Sequence, residues 1–93
     1  MGAEAKIISK ARKLLEAKGW ITIKMYGDGH IPNGFPDLLL ISPCGKTVYI
    51  EMKAPGKEPE PVQKYWLNRL KKQGCTTGWA DSVDGVMEIC YPK

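Results

Sequence analysis

The sequence lacks the residues that most often build zinc sites and disulfide frameworks. It contains one histidine, and its three cysteines are odd in number and show no Cys-x-x-Cys spacing. Zinc sites usually carry cysteines and histidines at fixed spacing, and secreted disulfide scaffolds usually carry an even cysteine count. The composition therefore indicates neither class, and we expect a reducing, cytoplasmic environment.

Long apolar runs are also missing from the sequence. No run approaches the 18 residues of a transmembrane helix, and the N-terminus has no hydrophobic signal core. We therefore expect neither a membrane span nor a secretory signal. No repeat, low-complexity tract or linker interrupts the 93 residues, which predicts one domain over residues 1–93. A domain of this size buries only a modest core, which oligomerisation would enlarge.

Positive charge exceeds negative charge in this sequence. There are 14 lysines and arginines against 10 aspartates and glutamates, which gives a formal net charge of +4. A basic surface gains affinity for nucleic acid by neutralising phosphates. The balance of charge therefore favours a DNA duplex as partner.

Two short motifs in the middle of the chain flank a predicted β-hairpin. They are Gly-Phe-Pro-Asp-Leu at residues 34–38 and Ile-Glu-Met-Lys-Ala at residues 50–54. Branched and aromatic residues fill positions 38–41 and 47–50, and the Pro-Cys-Gly of residues 43–45 is typical of a three-residue hairpin loop. Because residues 38–41 are apolar on both faces, the hairpin is expected to be central and buried. Charged residues at the end of a buried hairpin then require a functional explanation.

The predicted loop sets the register of the hairpin. If Ser42 faces Lys46, Asp37 faces Glu51, and Lys53 projects to the same side because side chains alternate along a strand. A two-residue loop would instead turn Asp37 away from Glu51.

Two close carboxylates repel each other unless a cation lies between them. Mg²⁺ suits such a pair, because it takes one or two carboxylates and keeps waters and a phosphate oxygen as its other ligands. The carboxylates of Asp37 and Glu51 and the amine of Lys53 therefore predict Mg²⁺-dependent phosphodiester cleavage, with Mn²⁺ as a substitute ion. Either motif alone is weak evidence for a nuclease site, because Pro-Asp is common in turns and Glu-x-Lys is common on solvent-facing strand edges.

The order of these motifs resembles the VRR-NUC (virus-type replication-repair nuclease) branch of the PD-(D/E)XK superfamily. The two motifs are followed by Gln63, by Trp66-Leu67 and by Gly74, and the resemblance runs from about residue 4 to about residue 82. It implies an α/β, restriction-endonuclease-like core with a mixed sheet of about four strands flanked by helices. It also implies a metal-dependent DNA endonuclease, acting as a homodimer on four-way (Holliday) junctions as small stand-alone members do. A phage or prophage origin in a bacterial host cell would fit it.

The resemblance also implies roles for individual residues. It gives five of them to the site: Asp37, Glu51 and the backbone carbonyl of Met52 as metal ligands, Lys53 as catalytic lysine, and Gln63 as an additional polar residue. Glu4 matches the acidic residue of the family's first helix and is a further candidate metal ligand, although a carboxylate in a first turn also complements the helix dipole. One departure is Leu67, where some exonuclease-like branches carry tyrosine in Gln-x-x-x-Tyr.

Periodicity predicts the remaining elements. Helices are expected over about residues 4–18 and 61–73 and after Ser82, with strands at residues 20–26 and 76–80. The final strand should run parallel to residues 47–52, because a crossover helix connects them. Gln63 should point inward at the start of the second helix. Its partner would be a metal-bound water or a phosphate, or else a backbone carbonyl.

Three further residues are candidates for DNA contact: Lys57, Lys64 and His30. For Lys64 an ordinary solvated helix surface is the alternative. A catalytic role for His30 is disfavoured, because histidine-metal nucleases usually need more than one histidine, and Asp28 is expected to form a turn. The alternative function is a non-catalytic basic DNA-binding module of the same fold. A site-specific restriction-type enzyme would need sequence-reading elements for which 93 residues leave little room.

Overall fold

The computed structural model describes residues 2–26 and 29–93. The helices and strands follow one another in the order α1 (Ala3–Ala17), β1 (Ile21–Lys24), β2 (Leu38–Ile41), β3 (Thr47–Met52), α2 (Pro61–Lys72), β4 (Thr76–Ala80) and α3 (Val83–Cys90). The predicted α/β fold class and order of elements are confirmed. No helix within these ranges is long and apolar enough to cross a bilayer.

The strands form one mixed sheet in the order β1-β2-β3-β4. Strands β1, β2 and β3 are antiparallel neighbours, and β4 returns parallel to β3 after α2, as predicted. The hairpin register is also confirmed, because Leu38 pairs with Ile50 and Leu40 pairs with Val48. Gly45 adopts a φ of 89° in the loop, where its N–H donates to the Ser42 carbonyl at 2.9 Å.

The core lies between one face of the sheet and helices α1 and α3. Alternate residues of β2 and β3 point into it and are fully or almost fully buried: Leu38, Leu40, Val48, Ile50 and Met52. Ile8, Ala11 and Leu15 of α1 and Val86 and Cys90 of α3 complete the cluster. Helix α2 packs on the opposite face, over β3 and β4. Helices therefore lie on both faces of the sheet, as expected.

Exposed and less exposed residues alternate along β1, and its buried residue is polar. Thr22 is buried, whereas Ile21 is 57% and Ile23 is 41% exposed. The Thr22 hydroxyl accepts a hydrogen bond from Arg12 Nε at 2.9 Å and donates to Glu16 Oε2, so α1 satisfies a buried polar group. The two isoleucines point to the other face, where α2 packs on β3 and β4. An apolar surface is therefore left open on β1.

Helical periodicity predicts that α2 buries a stripe made of Val62, Trp66, Leu67 and Leu70, and this prediction needs one correction. Leu67 is buried, but Val62 remains 37% exposed. Its methyl groups lie against the backbone of Gly34, in the segment that precedes β2, instead of entering the main core.

Candidate active site

The predicted acidic residues meet at the end of the sheet where β2 begins and β3 ends. Asp37 Oδ1 accepts a hydrogen bond from the backbone N–H of Met52 at 2.9 Å, and its backbone carbonyl accepts one from Met25 at 2.8 Å. Glu51 is the penultimate residue of β3, and Lys53 follows the strand directly. The hairpin thus holds the Asp37 side chain against the strand that carries Glu51.

The residues before Asp37 are fixed against α2. Gly34 has a φ of 82°, and a Cβ placed on it would lie only 2.8 Å from Val62 Cγ1. Phe35 packs edge-on against the Trp66 ring with centroids 5.4 Å apart, and Pro36 is fully buried. The glycine permits both the left-handed backbone and the close approach of the helix. The Gly-Phe-Pro-Asp motif therefore packs the start of β2 against α2.

Gln63 links α2 to two catalytic candidates, Glu51 near the end of β3 and Lys53 just after it. Its Nε2 donates to Glu51 Oε2 at 3.1 Å, and its Oε1 accepts from Lys53 Nζ at 3.4 Å. The same Oε1 accepts from the backbone N–H of Glu60 at 2.8 Å, which satisfies a donor at the helix N-terminus. The inward orientation of Gln63 is confirmed, but its partners are a carboxylate, an amine and a backbone N–H.

Burial and mutual repulsion perturb the acidic pair. Glu51 is only 5% exposed, and this burial, together with the negative charge of Asp37, raises the pKa of Glu51 to about 8. Burial also raises the pKa of Asp37, against the opposing effects of the Met52 N–H and the Lys24 amine. A bound cation would stabilise the ionised form of two carboxyl groups in this environment.

The side chains at this site fit a hard divalent cation held mainly by water. Within residues 2–26 and 29–93, no three histidine, cysteine, aspartate or glutamate side chains cluster closely enough to form a metal cage. Mg²⁺ does not require one, because one or two carboxylates with waters and substrate oxygens complete its octahedron. Asp37 and Glu51 would hold the ion, with the Met52 carbonyl as the third protein oxygen assigned by the motif.

Glu4 lies in the first turn of α1, about one helical turn before the buried Ile8. Its negative charge raises the pKa of both Asp37 and Glu51, so its carboxylate is within electrostatic range of the pair. It does not join them in a cluster of three. The role of helix-dipole partner is compatible with this position, and the role of metal ligand stays a prediction.

Lys24 is a site residue that the sequence did not reveal. Its Nζ lies 4.0 Å from Asp37 Oδ2 and 3.3 Å from the Met25 carbonyl. The residue ends β1 and pairs with Leu38, the residue after Asp37. The long connection over residues 25–37 leaves the pairing of β1 and β2 without a tight turn to fix it.

The three residues predicted to contact DNA are all exposed. Lys57 is exposed in the turn between β3 and α2, and His30 is exposed in the segment before the Gly-Phe-Pro-Asp motif. Lys64 lines a groove of about 300 Å³ between α2 and β4, together with Lys71 and the partly exposed Trp79. Asp28, expected to form a turn, falls outside the described residues.

The family model of the VRR-NUC domain matches residues 5–84, which is most of the chain. The chain belongs to the VRR-NUC family. A relative from Acyrthosiphon pisum secondary endosymbiont phage 1, named "Putative nuclease p44", is 38% identical over 81 residues, which cover 87% of this chain and 81% of the relative. The identification from the sequence motifs is confirmed.

Solved VRR-NUC structures have the same fold. One superimposes with a TM-score of 0.84 at 26% identity and covers both chains completely. A second gives a TM-score of 0.74 at 17% identity over 97% of this chain and 86% of its own. The chain is therefore a nuclease domain with the VRR-NUC architecture.

Proposed function

We propose that this VRR-NUC domain is a Mg²⁺-dependent DNA endonuclease that cuts branched DNA, in particular four-way junctions, as a homodimer. The proposal rests mainly on one observation. A buried carboxyl group, Glu51, lies beside Asp37 and is joined through Gln63 to Lys53. Acidic pairs and a lysine in this arrangement suit hydrolysis of a phosphodiester.

Each side chain has a separate task in this reaction. Mg²⁺, when bound, would polarise the phosphate and lower the pKa of a water molecule. Lys53 would hold the attacking water and neutralise negative charge that develops on the phosphate. Gln63 keeps the Lys53 amine and the Glu51 carboxyl in fixed positions. Lys24, whose amine lies 4.0 Å from Asp37 Oδ2, would bind a phosphate oxygen.

The open surface of β1 supports the homodimer. Ile21 and Ile23 project side by side from one face of this edge strand, and both are largely exposed. Exposed apolar side chains that are adjacent on a strand often mark an interaction surface. A two-fold dimer carries two equivalent sites, and a junction with two symmetric cuts matches that symmetry.

Cutting of labelled DNA tests the proposal. Wild-type protein, Lys53→Ala and Lys46→Ala would be incubated with a four-way junction and with a linear duplex, in Mg²⁺, in Mn²⁺ and in chelator. Lys46 is the matched control, because it lies in the hairpin loop at the opposite end of β3.

We expect the wild type and Lys46→Ala to cut the junction in either metal, and Lys53→Ala to lose at least about a hundredfold in rate. Cutting that continues in chelator would exclude metal dependence. Binding of junctions without cutting would favour the non-catalytic DNA-binding module instead.

A further inference from the structure

A second groove extends from the active site along α1 and β1. It has a volume of about 390 Å³, and its lining includes Ala5, Ser9, Arg12, Lys13, Lys24 and Tyr26. The last two residues also line a cleft of about 440 Å³ that contains Asp37. The small side chains of Ala5 and Ser9 leave space at the end of α1 nearest to Glu4. The groove therefore continues the space in which a substrate phosphate would meet the acidic pair.

The groove is basic. It contains three cationic side chains, Arg12, Lys13 and Lys24, and one carboxylate, Glu16. Glu16 accepts a hydrogen bond from the Thr22 hydroxyl, and Arg12 is held beside it by bonds from Nε and Nη2 to Thr22. Lys13 is exposed on the outer rim of the groove. The excess of positive charge suits a phosphate backbone.

Tyr26 lines both the groove and the active-site cleft and lies where the two meet. It is 70% exposed, and Lys24 Nζ lies 5.2 Å from the centre of its ring. The preceding residue, Met25, is hydrogen-bonded to the Asp37 backbone, so the ring is attached close to the catalytic carboxylate. An exposed aromatic ring beside cationic side chains is the usual platform on which single-stranded nucleic acids stack their bases.

We propose that this groove binds unpaired nucleotides of the substrate beside the scissile bond, with a base stacked on Tyr26 and the adjoining phosphates near Lys13 and Lys24. The inference rests on the proposed nuclease function. A space of about 390 Å³ has the size of a small-ligand site, so it suits a single nucleotide better than the full width of a duplex. Selectivity for branched DNA then arises because forks and flaps supply unpaired nucleotides, and because base pairs at the crossover of a four-way junction open more readily than those within a continuous duplex.

Equilibrium binding without metal tests the groove independently of cutting. The probes are a fluorescein-labelled oligothymidylate and a labelled duplex of equal length, titrated with wild type, Tyr26→Ala, Tyr26→Trp and Lys13→Glu. Lys46→Glu has the same charge change at the far end of the sheet and serves as the control. Tyr26 and Lys13 are exposed, so these substitutions leave the core intact.

We expect Tyr26→Ala to weaken single-strand binding about tenfold, Tyr26→Trp to retain it, and duplex binding to change little. Lys13→Glu should weaken single-strand binding and reduce its salt dependence by about one phosphate contact, whereas Lys46→Glu should not. Wild-type affinity for the single strand in both Tyr26→Ala and Lys13→Glu would overturn the groove proposal, even if the enzyme cuts junctions. Conversely, tyrosine-dependent binding by a protein that cuts nothing would support the groove and refute the nuclease proposal.

Discussion

Replacing Gly34 by alanine tests how the acidic motif is attached to α2. The left-handed φ of 82° costs an alanine about 1–2 kcal/mol. The new Cβ would also lie 2.8 Å and 2.9 Å from the two Val62 methyl carbons and 3.1 Å from the Val62 backbone carbon. Overpacking of this kind costs about 1–3 kcal/mol. We therefore expect Gly34→Ala to lower the free energy of unfolding by about 2–5 kcal/mol.

Gly56→Ala separates these two contributions. Gly56 has nearly the same φ, 83°, but a Cβ at this position would meet no atom within 4 Å. Its substitution should therefore cost only the backbone strain of about 1–2 kcal/mol. Combining Gly34→Ala with Val62→Ala removes both methyl contacts, so a double-mutant cycle should show a coupling of about 1 kcal/mol or more.

Urea unfolding followed by circular dichroism measures all four variants, and junction cutting shows whether Asp37 has moved. Equal losses of stability in Gly34→Ala and Gly56→Ala, with no coupling to Val62, would refute the close approach of α2. Unchanged stability in Gly34→Ala would also refute the left-handed backbone.

The other site and surface residues give three further predictions. Gln63→Glu keeps an acceptor for the Glu60 N–H but loses the donor to Glu51, so we expect cutting to slow about 10–100-fold with little loss of stability; an unaltered rate would exclude a positioning role. Lys24→Met removes the cation beside Asp37, so the Mg²⁺ concentration for half-maximal cutting should fall while KM for DNA rises, and steady-state kinetics in which neither changes would contradict its placement. Ile23→Lys should convert a dimer to a folded monomer in sedimentation experiments, and an unchanged dimer would exclude the open β1 surface as its interface.

The hairpin could be predicted from the sequence because local chemistry fixes it. The three-residue loop ending at Gly45 determines the register, and the register brings Asp37 to Glu51. The inward position of Gln63 follows similarly, because helical periodicity fixes its orientation relative to Leu67. In both cases, residues close in the sequence determine the geometry.

Contacts between elements that are far apart along the chain could not be predicted from the sequence. Lys24 reaches Asp37 through the pairing of β1 with β2, which no short turn specifies. The sequence also could not show which face of β1 is buried, because the burial of Thr22 depends on its hydrogen bonds with α1. Apolar alternation alone cannot show that a helix supplies partners to the polar face.

The raised pKa of Glu51 makes the stability of the metal-free protein depend on pH. In the unfolded chain this carboxyl ionises near its ordinary value of 4.5, whereas in the folded protein it keeps its proton up to about pH 8. The folded state therefore binds more protons over this interval, and stability contributed by protonated Glu51 falls as pH rises through it. Glu51→Gln has no carboxyl group at this position, so this contribution to the loss of stability with rising pH should be absent from the variant.

Thermal unfolding of wild type and Glu51→Gln in chelator and in Mg²⁺, at about pH 5 and about pH 9, tests the acidic pair most directly. We expect the metal-free wild type to lose more stability than Glu51→Gln at the higher pH, and Mg²⁺ to raise the wild-type Tm there by ligand linkage while leaving Glu51→Gln almost unchanged. Equal stabilisation of both proteins by Mg²⁺, or of neither, would contradict a metal site built on Asp37 and Glu51.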